Sequence, residues 1–222
     1  MIAPKPLGLL PTKKARVPSR ESRRMTIAAG FVCKDGIVLC ADSQESAGDY
    51  KWPVKKLVVN LHSGLPMIVA GAGFGPAIDT ATQKIIERVR GSQDQGLILK
   101  GIEETLREIH EKDLAFYPVE DSAILQFSLL IAFKPPRAPG GLFSTNGSLM
   151  RRVDTFEVIG SGIVTNFFAH TLYAKRMSLF EGTLLSAYLA HLAKSQLSSI
   201  GGRTVKGGVK PGHCGGVKVG HS

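Results

Sequence analysis

Along the chain, apolar positions recur with one of two periods, and the switches between periods mark out the elements. Residues 26–34 and 37–42 are apolar runs separated by Asp35-Gly36, which reads as a β-hairpin. Lys56-Leu57-Val58-Val59 and Pro66-Met67-Ile68-Val69-Ala70 read as two more short strands about a Ser63-Gly64 turn, and Gly71-Ala72-Gly73-Phe74-Gly75 breaks the chain. The period then lengthens. Ile78, Ala81, Ile85, Ile86 and Val89 form the stripe of a helix that opens at Pro76 and ends at Gly91. A second helix is predicted over 94–115, with Leu97, Ile98, Ile102, Leu106 and Ile109 on its apolar stripe and Glu103, Glu104, Arg107 and Glu108 facing water. A buried strand is predicted over 125–133, a Pro- and Gly-rich loop over 135–148, and a strand over 155–159 that stops at Gly160-Ser161-Gly162. Two helices follow over 163–177 and 181–196, then a Gly-rich tail that is weakly structured after about 203. Strands and helices fall in blocks with hairpin links, so the pattern predicts an α+β fold and not a doubly wound sheet.

The register of the first hairpin decides what its two ends can do together. A two-residue turn at Asp35-Gly36 would pair Ala29 with Asp42 and put Asp42 on the face opposite Thr26. A three-residue loop, Lys34-Asp35-Gly36, pairs Ala28 with Asp42 and puts both on one face, roughly 7 Å apart along the strand. The three-residue loop is the expectation, because it sets Gly36 where glycine is favoured. A plain structural hairpin explains the same segment.

Composition narrows the class. With 222 residues, 43% hydrophobic and 21% charged, the chain suits one soluble globular domain over 26–222. No apolar stretch reaches bilayer length, so no membrane partner is expected. Cys33, Cys40 and Cys214 show no CxxC spacing, which argues against a disulfide framework or a zinc site and suits a reducing, cytoplasmic setting. No metal or cofactor is expected.

The net charge of +10 suggests a nucleic-acid partner until it is located. Residues 1–24 carry seven basic residues and one acid, and residues 203–222 carry four basic residues and none. Removing these from the 28 basic and 18 acidic residues leaves seventeen of each in the body. A basic groove, and with it nucleic acid, is not expected. Residues 1–25 lack the apolar stretch of a secretory signal. They read as a leader: a pro-segment removed on maturation, or sequence ahead of a true start at Met25. Either way Thr26 becomes the N-terminus.

A free N-terminal Thr26 places a hydroxyl beside its own α-amine, a nucleophile with a built-in base. Such an amine titrates near about 7.7–8.0, close enough to neutrality to accept a proton. The alternative at residues 66–90 is a dinucleotide site, but Pro76 stands where the last glycine of G-x-G-x-x-G belongs. Singly, Lys56 reads as a solvated charge, Asp42 as a strand end, Gly71 as part of a turn and Ser161 as part of a helix cap.

Taken in order, Thr26, CKDGIVLCADS, VKKL, AGAG and VIGSG resemble the β-type subunits of the 20S proteasome and their bacterial relatives, the N-terminal-threonine hydrolases. The resemblance spans 26–90 and returns around 155–170. It implies a four-layer αββα sandwich, with Thr26 as nucleophile, Lys56 as the lysine beside it and Asp42 as the carboxylate holding that lysine. Gly71 is implied as the main-chain oxyanion donor and Ser161 as the serine near the threonine amine. It further implies a threonine endopeptidase, cleaving peptides or unfolded proteins inside a ring of homo- or hetero-oligomeric subunits, with an ATPase unfoldase as a further partner. The family carries an aspartate where this chain has Leu197, and the alternative is a catalytically inactive structural subunit of such a ring.

Overall fold

The structure, a computed structural model, describes residues 26–42, 44–47, 50–54, 56–61, 64–118, 122–160, 163–196, 204–209 and 217–221. It mixes α and β: two five-stranded sheets, a two-stranded hairpin and four α-helices among the described residues. The first hairpin is β1 (Ile27–Cys33) and β2 (Gly36–Asp42), followed by the small hairpin β3 (Gln44–Ala47) and β4 (Tyr50–Pro53). Next come β5 (Leu57–Asn60), β6 (Met67–Gly73), α1 (Gly75–Arg88) and α2 (Gln95–Glu108), whose end passes into a π turn at Ile109–Leu114. A short 3₁₀ turn, Ser122–Leu125, leads into β7 (Phe127–Phe133), β8 (Gly141–Asn146), β9 (Leu149–Val153) and β10 (Phe156–Gly160). The chain continues through α3 (Ile163–Leu172), α4 (Leu179–Gln196), β11 (Thr204–Val209) and β12 (Val217–His221).

One sheet has the order β10-β1-β2-β11-β12 and the other β5-β6-β7-β8-β9, and every pairing is antiparallel. Alternation along the strands sends side chains to two different cores. In β6, Ile68, Ala70 and Ala72 meet Ala28, Leu39 and Ala41 of the other sheet, whereas Met67 and Val69 meet Ile78, Ile85, Ile98 and Leu106 of α1 and α2. In β1, Ala29 and Phe31 turn the other way, onto Ala169, Leu185 and Leu189 of α3 and α4. Both faces of the central strands are therefore dry, which is why their sequences are continuous apolar runs.

Three expectations are corrected. The 135–148 loop contains β8, and Asn146-Gly147 turns it into β9, with Gly147 at φ 59°. An Asn-Gly pair between apolar runs is a hairpin signal that outweighs the prolines before it. The tail contains two strands, with Thr204–Val209 paired along β2. The first hairpin has a two-residue turn, Lys34-Asp35, with Cys33 opposite Gly36 and Ala28 opposite Ala41. Both registers weighed from the sequence were therefore displaced, the expected three-residue loop by one residue and the turn at Asp35-Gly36 by two. No helix among the described residues is long and apolar enough to cross a membrane.

Candidate functional site

The observed register carries Asp42 to the level of Ile27, one residue beyond the expected partner. Its carboxylate accepts a hydrogen bond from the Ile27 backbone N–H at 3.2 Å, which ties the end of β2 to the start of β1. Thr26 is the residue before β1 and is buried. On strand alternation alone, the Thr26 and Asp42 side chains point to opposite faces. They are joined by a third residue.

Lys56 supplies that link from the other sheet, one residue before β5. Its Nζ donates to Thr26 Oγ1 at 3.2 Å and to Asp42 Oδ1 and Oδ2 at 3.2 and 3.1 Å. The lysine side chain is 10% exposed and the Asp42 side chain 3%, so this is a nearly dry ion pair. A buried cation is tolerated where a carboxylate and further acceptors surround it, and here the Thr26 hydroxyl is one of those acceptors. The backbone enforces the meeting: Leu57 pairs with Ala70, and Gly71 N–H donates to the Lys56 carbonyl at 3.2 Å.

Gly71 therefore lies beside the site with its N–H directed at Lys56. A Cβ at Gly71 would collide with the Ile78 side chain, so the position needs glycine for packing against α1. Ser161 and Leu197 lie outside the described residues. Two positions escaped the sequence reading. Gly160 pairs with Ile27, has φ 91°, and a Cβ there would collide with the Thr26 carbonyl oxygen; it is the seat of Thr26. Asp79 of α1 helps line the cavity in front of Thr26. Its signal was a carboxylate in the helix directly after AGAGFG.

That cavity has a volume of about 210 Å³ and is walled by Thr26, Val54, Lys56, Gly73, Ile78 and Asp79. Cys33 does not compete as a nucleophile: it sits at the opposite end of β1, and burial, then Asp35 and Glu181, push it up to about 11. A thiol at that value is not a nucleophile near neutral pH. Among the described residues there is no group of three His, Cys, Asp or Glu side chains able to hold a metal ion. Chemically, the arrangement offers a hydroxyl oriented by a cation that is itself held by a buried carboxylate.

No protein-family model and no curated protein matches the sequence. Solved structures do match. A (Gly-1) mutant of Anbu from Hyphomicrobium sp. strain MC1 superposes with a TM-score of 0.77 at 16% identity, covering 88% of this chain and 86% of that one. Anbu from Yersinia bercovieri, described as an ancestral beta-subunit, gives 0.71 at 14% identity over 83% and 81% of the two chains. The helical assembly of the Anbu complex from Pseudomonas aeruginosa gives 0.71 at 15% identity over 89% and 86%. The chain thus has the fold of these Anbu structures.

Proposed function

We propose that the chain is a proteasome-like threonine peptidase subunit, folded as a four-layer αββα sandwich and working within a ring or helical oligomer. The observation that supports this reading is Lys56 Nζ held between Thr26 Oγ1 and the Asp42 carboxylate. A lysine buried only for stability has no need to hold a hydroxyl at the mouth of a cavity.

In this reading the leader up to Met25 is removed and the Thr26 α-amine becomes the base. The Lys56 ammonium beside it favours the uncharged amine, as a neighbouring like charge does. Thr26 Oγ attacks the peptide carbonyl carbon as its proton passes to the amine, and the carbonyl π pair moves onto oxygen. Collapse breaks the C–N bond, the ammonium returns the proton to the leaving nitrogen, and an ester to Thr26 remains. Water, deprotonated by the same amine, releases the acid and restores the hydroxyl. Asp42 acts as a positioning residue that fixes Lys56. Ser161 takes the place beside the amine that the family resemblance gives it, and Gly71 the place of oxyanion donor. The substrates are peptides or unfolded proteins, the partners are further ring subunits and an ATPase unfoldase, and the setting is cytoplasmic.

Thr26→Ala tests the reading. Cleavage of fluorogenic peptides is expected to vanish while particle size on gel filtration is retained. Unchanged turnover in that variant excludes Thr26 as the nucleophile.

A further inference from the structure

The walls of the cavity in front of Thr26 differ in what they present to a substrate. Gly73 and Gly75 border it without side chains, which leaves the space beside the threonine open. Val54 and Ile78 make aliphatic walls. Ile78 is held in place: it is buried, and its Cγ2 methyl fills the space that a Cβ on Gly71 would take.

Two charged residues border the same cavity, Lys56 and Asp79. The Lys56 ammonium is matched by the Asp42 carboxylate at 3.1 Å, in a pair almost closed to water. Asp79 is exposed and lies four residues after Gly75, on the same side of α1. It also borders a second groove along that helix, with Thr82, Glu87 and Arg90. Asp79 takes part in further interactions, and a carboxylate, with two oxygens and about four lone-pair sites, accepts more than one donor. Aliphatic walls that end in an exposed carboxylate match a side chain with an apolar stem and a cationic tip, the build of lysine and arginine. An acidic side chain would meet like charge there.

The reaction decides which residue of the substrate enters. The side chain nearest the attacked carbon belongs to the residue that supplies the carbonyl, and that residue stays joined to Thr26 in the ester. We propose that Asp79 selects a lysine or arginine at this position, with the stem against Val54 and Ile78 and the cation on the Asp79 carboxylate. The inference rests on Thr26 as nucleophile and names the substrate class of that site. A charge-assisted contact of this kind sets a preference of about 10–10²-fold in kcat/KM.

The test compares kcat/KM of the mature, assembled protein for two fluorogenic peptides that differ only in the residue before the reporter amine, lysine or norleucine. Norleucine keeps the carbon stem and lacks the ammonium, so the ratio isolates the cation. The lysine peptide is expected to be preferred by at least about tenfold. Asp79→Asn is expected to bring the ratio close to one, and Asp79→Lys to turn the preference toward a glutamate peptide. A ratio near one in the wild-type protein overturns the inference and leaves the nucleophile in place, as does a preference that Asp79→Asn does not reduce. If none of these peptides is cleaved, the nucleophile reading fails and the inference falls with it.

Discussion

Lys56 is the residue on which stability and chemistry meet. Its ammonium holds the Asp42 carboxylate, which is 3% exposed, and the Thr26 hydroxyl at once. Lys56→Ala takes the cation from a buried carboxylate, and removing one partner of such a pair costs about 3–5 kcal/mol. The same change removes the group that orients the proposed nucleophile, so kcat is expected to fall at least ~10²-fold. Combining Lys56→Ala with Asp42→Asn discharges the carboxylate as well. The double variant is therefore expected to lose clearly less stability in urea than the two single losses added together. Additive losses there contradict a coupled pair. Peptidase activity does not return in the double variant, because Thr26 still lacks its lysine.

At the scale of elements, α4 shows how the helices beside the site are anchored. Ser178 Oγ and the Glu181 carboxylate cap each other's backbone: Ser178 N–H donates to Glu181 at 2.6 Å, and Glu181 N–H donates to Ser178 Oγ at 3.3 Å. This is a capping box. The backbone N–H of Ser178, and then its hydroxyl, hold the Glu181 carboxyl below its ordinary value of 4.5. A depressed carboxyl stabilises the folded state above its unfolded value, and that contribution disappears as pH falls through the lower, folded value. Amide protection in the first turn of α4 is therefore expected to weaken selectively below about pH 4.5, and Glu181→Gln, which removes the titrating carboxyl, is expected to abolish that pH dependence. Protection that is independent of pH in the wild-type protein contradicts the assignment.

Most elements were legible because their signals are local. The α1 stripe from Ile78 to Val89 and the Asp94 cap of α2, whose side chain accepts from Leu97 N–H at 2.9 Å, need only neighbours three or four residues away. The β8–β9 hairpin was hidden by the prolines at 135, 136 and 139, although its own Asn146-Gly147 turn signal was present. The first hairpin's register was not legible, because Lys34, Asp35 and Gly36 suit turns of either length and tertiary pairing decides. For the site, Thr26, Asp42 and Lys56 could be named from spacing and family resemblance.

The whole molecule has two unlike outer surfaces. On α1 and α2 the exterior is charged and cross-linked, with Lys84 bound to Asp113 at 2.9 Å and Arg88 to Glu108 at 2.8 Å. On α3 and α4 it is apolar: Phe167 is 66% exposed, Phe180 71% and Leu184 55%. Phe180, Leu184 and Tyr188 are spaced by four and form one stripe. A helix apolar on its outer as well as its inner face is one that another surface covers. In the oligomer proposed above, neighbouring copies cover that surface. Leu184→Glu together with Phe167→Glu is expected to shift the protein on gel filtration from a large particle toward the 23.8 kDa chain, with its circular dichroism unchanged. A particle of unaltered size contradicts this placement of the contact.

Everything at the site presupposes that the amine next to the Thr26 hydroxyl is free. Mass spectrometry of the assembled, peptide-cleaving protein purified from its natural source measures this directly. The expected result is chains that begin at Thr26. Active particles whose chains still carry Met25 contradict it, since the amine would then be locked in a peptide bond and unable to take the proton.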